Sequence, residues 1–170
     1  VVKFASDLSI IARKRYGGAN NDGFMDVTVD SSNNIICAGF TASEGTGSDA
    51  LVVKFDSSLG IIARKRYGGA VGDNFYSVAV DSSNNIICVG YTASEGTGGE
   101  ALVVKFASDL SIIARKRYGG SGSNYFYGVA VDSSNNIICA GFTTSEGADN
   151  ADALVVKFSS NLSIVARKRY

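Results

Sequence analysis

The sequence predicts an all-β protein built from tandem four-stranded units, the arrangement found in the blades of a β-propeller. Three observations predict this fold. A 51-residue pattern repeats along the 170-residue chain, each copy contains short apolar segments, and Gly, Ser, Asn and Asp fill the stretches between them. Repeats of roughly 20–50 residues are typical of solenoids and propellers, and such turn-rich spacing is typical of β-strands.

The repeat is nearly identical in its three full copies. The motif Arg-Lys-Arg-Tyr-Gly-Gly occupies residues 13–18, 64–69 and 115–120. The motif Asp-Ser-Ser-Asn-Asn-Ile-Ile-Cys occupies residues 30–37, 81–88 and 132–139. The period is 51 residues, and 52 in the last copy, which has one added residue within 148–151. We therefore divide the chain into a half unit, 1–16, and three full units, 17–67, 68–118 and 119–170.

The first half of each unit predicts a hairpin of two strands. In the middle unit, apolar residues alternate in strand fashion over 75–80. The run 81–85, Asp-Ser-Ser-Asn-Asn, predicts a tight turn, because asparagine tolerates the left-handed conformation that such turns need. The second strand, Ile86–Thr92, is apolar at both alternating sets of positions, which predicts that both of its faces are buried.

The second half of the unit begins with a glycine-rich loop at 94–100, followed by an apolar third strand at 102–106. A polar turn at Ser108-Asp109 leads into the fourth strand, Ile112–Tyr118, which ends in charged residues. Strands two and three are thus nearly all apolar, whereas strand four is polar. We expect this gradient when sheets stack face to face and only the outermost strand meets water.

A β-trefoil-like fold is the alternative, because it also contains three four-stranded repeats. Trefoil strands alternate inward apolar with outward polar residues, and the run 86–91 does not. The half unit at 1–16 fits a closed three-fold body poorly, and a parallel β-solenoid would use shorter rungs without hairpin turns. We therefore predict a β-propeller of four-stranded antiparallel blades, with three full repeats and a half repeat in the chain.

The repeat also resembles a known family. The motifs that carry the resemblance are Tyr67-Gly68-Gly69, Asp73, 78–85, 90–94 and 101–106. Together they resemble the bacterial and archaeal SBBP β-propeller repeat over essentially the whole chain, with the departure that the family usually has glycine where Asn84 stands. The resemblance implies a propeller fold and an extracellular or cell-surface location, and it implies no shared catalytic activity.

The number of blades predicts association. Propellers close with typically 4–8 blades, and this chain supplies three and a half. An open arc would expose two apolar blade faces, and exposed apolar surface of that size marks an interface. We therefore expect either a homo-oligomer or completion by the rest of a longer propeller chain.

The composition argues against an enzyme, against nucleic acid as a partner and against a membrane span. The chain has no histidine, so it lacks the commonest general base and cannot form a Ser-His-Asp triad. Its 16 basic and 16 acidic residues cancel, and no apolar run approaches the roughly 18–20 residues that cross a membrane. The chain starts at Val1, which we interpret as a processed form, an excised fragment or an edited sequence.

The most conspicuous charge feature is the triplet Arg-Lys-Arg, which occurs four times, at 13–15, 64–66, 115–117 and 167–169. One interpretation is a basic outer rim that binds anionic glycans, nucleic acid or a membrane surface. The other is a charged edge strand that prevents edge-to-edge aggregation. The zero net charge and the lack of aromatic residues inside the triplets argue against nucleic acid.

Six loop acids are the candidate ligand-binding residues, because long loops on one face of a propeller are where ligands bind. They are Glu44, Asp49, Glu95, Glu100, Glu146 and Asp152. Carboxylate oxygens suit Ca²⁺ or glycan hydroxyl groups, whereas acids at loop ends also commonly cap backbone amides. The three cysteines are expected to be small buried apolar residues, too far apart for disulfides: Cys37, Cys88 and Cys139. No cofactor and no metal site is expected.

These observations favour a non-enzymatic structural or interaction module that self-associates or belongs to a larger propeller. The alternative is a carbohydrate- or ligand-binding, lectin-like propeller with one weak site per blade, in which repetition supplies avidity. Neither hypothesis involves nucleic acid or a membrane span, and a glycan is a partner only in the second.

Overall fold

The computed structural model describes residues 1–45, 47–96, 98–145 and 150–170. These residues form fourteen β-strands and no helix, which confirms the all-β prediction. In chain order the strands are β1 (Val2–Phe4), β2 (Ile10–Arg13), β3 (Asp22–Val29), β4 (Ile35–Thr41), β5 (Asp49–Phe55), β6 (Ile61–Tyr67), β7 (Asp73–Val80), β8 (Ile86–Thr92), β9 (Glu100–Phe106), β10 (Ile112–Tyr118), β11 (Asn124–Val131), β12 (Ile137–Thr143), β13 (Asp152–Phe158) and β14 (Ile164–Arg169).

The strands form one two-stranded and three four-stranded antiparallel sheets. We call β1–β2 the N-terminal hairpin, β3–β6 the first sheet, β7–β10 the second sheet and β11–β14 the third sheet. Within each sheet the strands follow chain order, so that strands one and four of each unit lie at the two edges. The predicted unit of four antiparallel strands is therefore confirmed. Within the described ranges, no sheet closes on itself.

The turn between strands one and two has the geometry that its sequence predicts. Asn84 adopts the left-handed conformation, with a φ of 61°. One oxygen of the Asp81 carboxylate accepts the backbone N–H groups of Ser83 and Asn85, both at 2.9 Å. These bonds satisfy amides that the turn would otherwise leave unpaired, and the other two units repeat them.

The turn between strands three and four places a leucine in the left-handed region, which the sequence did not predict. Leu59 and Leu110 have φ values of 65° and 67°, a conformation that costs a non-glycine residue about 1–2 kcal/mol. Both side chains are buried, and burying a leucine contributes about 1.5–3 kcal/mol, which offsets that cost. Leu8 has the same backbone conformation in the N-terminal hairpin, but its side chain is exposed.

The sheets stack face to face, and the core lies between them. We call the face turned towards the next sheet in the chain the forward face, and the opposite one the backward face. Between the first and second sheets, Ile36, Ala38, Ala50 and Val52 meet Phe75, Cys88, Val104 and Phe106. Between the second and third sheets, the equivalent residues are Ile87, Val89, Ala101 and Val103, with Phe126, Cys139, Val156 and Phe158. In the first two sheets, strands two and three are therefore buried on both faces, as predicted.

The N-terminal hairpin occupies the place that strands three and four of a preceding unit would have. Its residues Val1, Ala12 and Tyr16 pack on the backward face of the first sheet. The ammonium group of Lys3 donates to the carbonyl oxygen of Ser57 at 2.8 Å. Among the described residues no strand takes the place of strands one and two beside this hairpin, and part of the backward face is exposed in this structure.

Both ends of the stack consequently expose residues whose equivalents are buried in the interior. Val155, on the forward face of the third sheet, is 39% exposed, whereas Val52 and Val103 at the same position of the other units are 0% exposed. On the backward face of the first sheet, Val27 is 57% exposed and its equivalent Val78 is 5% exposed. The two open apolar faces expected from the unit count are therefore present.

Candidate functional site

The first candidate acid lies in a cluster that joins two successive units. Glu44 follows β4, Arg64 projects from β6, and Tyr16 ends the preceding unit. The Tyr16 hydroxyl donates to Glu44 Oε1 at 3.2 Å, and Arg64 donates both to that hydroxyl, at 3.0 Å, and to the Glu44 carboxylate. The cluster therefore fastens one unit to the next through charge-assisted hydrogen bonds.

The same cluster recurs between the first and second sheets. The Tyr67 hydroxyl donates to Glu95 Oε1 at 3.1 Å, while Arg115 donates to Tyr67 at 2.9 Å and to Glu95 at 2.6 Å. The guanidinium carbon also lies 5.8 Å from the centre of the Tyr67 ring, within the range of a cation–π contact. Between the second and third sheets, Arg167 donates to the Tyr118 hydroxyl at 3.0 Å. Glu146, the candidate acid of that unit, lies outside the described residues.

The remaining candidate acids form ion pairs with the last arginine of each triplet. Asp49 pairs with Arg66 at 2.5 Å. The corresponding pairs in the second and third sheets are Glu100 with Arg117 at 2.8 Å and Asp152 with Arg169 at 3.2 Å. In the first two full units this arginine also lies 3.7 Å from the other candidate acid, Glu44 or Glu95, so that the two acids of a unit share one guanidinium group. Over the part of the chain that the structure describes, no three Asp, Glu, His or Cys side chains converge as a metal site would require.

The pKa shifts at these clusters keep the hydrogen-bond donors protonated. Burial is the main cause that raises the pKa of Tyr16 and of Tyr67 above the usual range. The hydrogen bond to Tyr16 is the main cause that raises the pKa of Arg64. The tyrosine hydroxyl and the guanidinium group therefore remain hydrogen-bond donors at neutral pH, which fits contacts that hold neighbouring sheets together.

The Arg-Lys-Arg triplets do not form a uniformly basic rim. Both arginines of the triplet at 64–66 face carboxylates, and the central residue Lys65 is exposed to solvent. Positive and negative charges therefore alternate along this edge, which favours the interpretation of a charged edge strand.

A second polar cluster, which the sequence analysis did not select, lies at the start of strand one. In the second sheet, the buried Asp73 accepts hydrogen bonds from Thr92 Oγ1 and Ser94 Oγ, both at 2.5 Å, and from the Gly69 amide at 3.1 Å. In the third sheet Asn124 replaces the acid, accepting from Thr143 Oγ1 and donating to Ser145 Oγ. Because the amide bonds to the equivalent threonine and serine, the same polar contacts fix the loop in both sheets.

The aspartate of the first unit shows how strongly this cluster favours ionisation. Burial raises the pKa of Asp22, but hydrogen bonds from Ser43, Thr41 and Gly18 outweigh it and lower the pKa to about 2. The carboxylate is therefore ionised at neutral pH and accepts these hydrogen bonds within the loop.

A third polar feature links the sheets through a lysine on strand three. Lys54 Nζ lies 2.9 Å from the carboxylate of Asp30, in the turn of its own unit, and 3.0 Å from the carbonyl oxygen of Ser108 in the next sheet. Lys105 repeats both contacts, with Asp81 at 2.9 Å and the Ser160 carbonyl at 3.1 Å. The signal in the sequence was the recurrence of one lysine and one aspartate at corresponding positions of the three full units.

The repeat is least regular at an aromatic cluster between the second and third sheets. Five rings form it, with centroid separations from 4.7 Å for Tyr91–Tyr125 to 6.4 Å for Tyr76–Tyr125. They are Tyr76, Tyr91, Tyr125, Tyr127 and Phe142. Burial raises the pKa of Tyr76 to about 12. The first unit has Met25 in place of Tyr76, and among the described residues the cluster lies at this one interface.

All three cysteines are free and buried, as predicted. Burial is the main cause that raises the pKa of Cys37, to about 11, and it also raises the pKa of Cys88 and Cys139. Buried thiols with raised pKa values are poor nucleophiles and poor metal ligands, which fits their packing role.

No protein-family model matches this chain, and a comparison with curated proteins finds no match. The resemblance to the SBBP repeat therefore stays a prediction. None of the described residues belongs to a helix long and apolar enough to span a membrane.

Proposed function

We propose that this chain is a non-enzymatic structural module of the β-propeller type, which associates through its two open faces. The partner is a second copy of the chain, or the remainder of a longer propeller that presents the same faces. The repeat motifs that resemble the SBBP family support a propeller at the cell surface or outside the cell. The observation that carries the proposal is that the interfaces between neighbouring sheets use the same contacts. Each end of the stack exposes one of the two surfaces that form such an interface.

The apolar half of the argument rests on the exposed residues. The forward face of the third sheet exposes Val155, which is buried at the equivalent position of the interior sheets. The N-terminal hairpin exposes Val2, Phe4 and Leu8; Phe4 is 52% exposed, whereas its equivalent Phe106 is 0% exposed. Placing one surface on the other would bury both, and full burial of each such side chain contributes about 1.5–3 kcal/mol.

The polar half rests on the lysine of strand three. In the third sheet Lys157 keeps its own aspartate, Asp132, at 2.8 Å. The contact with a carbonyl of a following sheet, which Lys54 and Lys105 make, has no counterpart among the described residues. At the other end of the chain, the carbonyl of Ser6 holds the repeat position of Ser57, which accepts from Lys3. The third sheet and the N-terminal hairpin are therefore complementary in polar groups as well.

These contacts define a head-to-tail association. The forward face of the third sheet in one copy meets the N-terminal hairpin of the next, a heterologous interface that generates rings when the rotation closes. Two copies would provide six four-stranded sheets and two hairpins, eight positions around the ring, and propellers have typically 4–8 blades.

The test is the native mass, measured by light scattering after size exclusion over a range of protein concentrations. We expect a discrete oligomer of the wild-type chain, and we expect Val155→Asp to dissociate it, because an unpaired charge would face an apolar surface. The matched control is Val165→Asp. Val165 lies in the same sheet and is also exposed, but its equivalents Ile62 and Ile113 are exposed in the interior units too.

Two outcomes would contradict the proposal. A wild-type chain that stays monomeric at every concentration would mean that the open faces are tolerated in water. An oligomer that Val155→Asp leaves intact would place the interface elsewhere.

The lectin-like alternative draws no support from the loop acids. In each full unit the described candidate acids form ion pairs with arginines at 3.2 Å or less, so they present no free carboxylate cluster to a ligand. Binding of Ca²⁺ by those residues would have to break these ion pairs first.

A further inference from the structure

We propose that the N-terminal hairpin and the uncovered part of the first sheet form a binding slot for a two-stranded β-hairpin. The hairpin that fits has the sequence of strands one and two of the repeat. We call this site the hairpin slot; it consists of the free edge of β1, Lys3, and the apolar residues Phe24, Val27 and Val29. The inference goes beyond the proposed association, because the head-to-tail contact does not cover the slot.

The first argument is the free edge of β1. In the three full sheets, strand three pairs on both sides, with strand two and with strand four. The strand β1 is the strand three of the half unit, and among the described residues it pairs with β2 alone. Its other edge presents backbone N–H and C=O groups to which an added strand can bind.

The second argument is the ion pair that Lys3 lacks. In the interior, Lys54 contacts both the aspartate of its own turn and a carbonyl of the next sheet. Lys3 makes the carbonyl contact, with Ser57 at 2.8 Å, but within the described part of the chain it has no acid partner. A docked hairpin would supply the missing aspartate from its turn, at the position of Asp30 or Asp81.

The third argument is the cavity beside the hairpin. It has a volume of about 460 Å³, and its lining includes Val2, Phe24, Val27 and Val29. At the interface between the first and second sheets, Ile36 and Ala38 from strand two fill the equivalent place and pack with Phe75 and Val78. Strand two of a docked hairpin would fill this cavity with the same side chains.

The fourth argument is a serine–asparagine contact between successive turns. Ser31 donates its amide to Asn84 Oδ1 at 3.0 Å, and Asn84 Nδ2 donates to Ser31 Oγ at 2.7 Å. Ser82 and Asn135 repeat both bonds. Asn33 holds the same left-handed position in the first sheet, and within the described residues no serine of a preceding turn reaches it. A docked hairpin would bring that serine.

The residue opposite Asp26 decides which repeat fits best. In the interior, Asp26 accepts hydrogen bonds from Ser77 Oγ at 2.8 Å and from the Val78 amide at 2.9 Å. In the slot, the residue of the docked hairpin that has the repeat position of Asp26 would lie against Asp26 of the first sheet. A hairpin from the first unit would place a second aspartate there, and like charges in contact are unfavourable, whereas a hairpin from the second unit would place Ser77 there.

The experiment uses the full chain and a labelled synthetic peptide of residues 72–93 that carries Cys88→Ser. Fluorescence anisotropy measures its binding, and we expect saturable binding of one peptide per chain. Asp81→Asn in the peptide is expected to weaken binding about tenfold, the size of a lost charge-assisted hydrogen bond. The control peptide carries Asp73→Asn, which removes the same charge at a position where the third unit has Asn124. The first-unit peptide, 21–42 with Cys37→Ser, is expected to bind more weakly.

The protein variants locate the site. Lys3→Met is expected to weaken binding about tenfold, with little further loss for the Asp81→Asn peptide, because both changes remove one ion pair. Lys65→Met, at an exposed lysine on strand four, is expected to leave binding unchanged. Absence of binding, or equal binding by the Lys3→Met chain, would overturn the inference.

The Val155→Asp chain separates this inference from the proposed association. If the proposed association fails but the slot exists, this variant binds the peptide as the wild type does, and Lys3→Met binds it about tenfold more weakly. If Val155→Asp abolishes peptide binding while Lys3→Met keeps it, the peptide docks on the third sheet and the slot is refuted.

Discussion

Removing the buried lysine of the second sheet tests whether the lysine contacts stabilise the stack. Lys105 is almost fully buried, and its ammonium group lies 2.9 Å from Asp81 and 3.1 Å from the Ser160 carbonyl. The substitution Lys105→Met keeps the apolar length of the side chain and removes the charge. It leaves the buried Asp81 carboxylate without its cation and the carbonyl of Ser160 without its donor.

The expected loss follows from the burial of the pair. Removing one partner of a buried ion pair costs about 3–5 kcal/mol, because the other charge remains in a poorly solvated site. With a urea m-value of about 2 kcal/mol/M, a loss of that size lowers the unfolding midpoint by about 2 M. The chain contains a matched control in Lys157, which pairs with Asp132 at 2.8 Å but is 38% exposed. Because solvent screens that pair, Lys157→Met is expected to have a much smaller effect.

The assay is urea unfolding of the wild type and both variants, followed by circular dichroism at several protein concentrations. Equal losses for Lys105→Met and Lys157→Met at low concentration would refute the reasoning, because burial is the main difference between the two sites. A loss for Lys157→Met that grows with protein concentration would instead show that association buries Lys157.

Two further predictions concern pH and glycine. Burial raises the pKa of Asp22 and Asp30, but hydrogen bonds outweigh it and hold both pKa values at about 2, below the usual 3.8. The two carboxylates therefore stabilise the folded chain above pH 4, and this stabilisation is lost as the pH falls towards 2. Urea unfolding midpoints that do not fall over this range would contradict the prediction. Gly90→Ala is expected to be strongly destabilising, because the added Cβ would overlap the Asn74 carbonyl oxygen. Gly128→Ala is expected to be tolerated, because the space around that position is open. Equal thermal unfolding midpoints for the two variants would contradict this prediction.

The strands and their four-stranded antiparallel sheets could be predicted largely from local signals. The turn at Asp81 and Asn84 and the apolar run Ile86–Thr92 recur in every unit, and each specifies its own geometry from residues close in sequence. The left-handed leucines could not be predicted from local signals. The side chain of Leu110 offsets the backbone cost by packing against a neighbouring sheet, and Leu8 adopts the same conformation although its side chain is exposed.

The role of the loop acids could not be predicted for a related reason. The partners of Glu95 include Arg115, which is 20 residues away in its own unit, and Tyr67 from the preceding one. The stacking of the sheets sets these distances, and nothing in the loop sequence indicates them. The uniform repetition was the useful signal. A residue that recurs at the same position of successive units takes part in the contact that each unit makes with its neighbour.

The repeat turns each position into its own internal control. Val52, Val103 and Val155 have the same local sequence, and they differ only in whether a following sheet covers them. In repeat proteins, stability is approximately a sum of intrinsic unit terms and nearest-neighbour interface terms. Here each interface term combines apolar packing, a lysine–carbonyl bond and a tyrosine–arginine contact, and these are the elements that the open ends of the chain lack. A partner that restores one of them gains what an interior sheet gains from its neighbour, so association and folding draw on the same contacts.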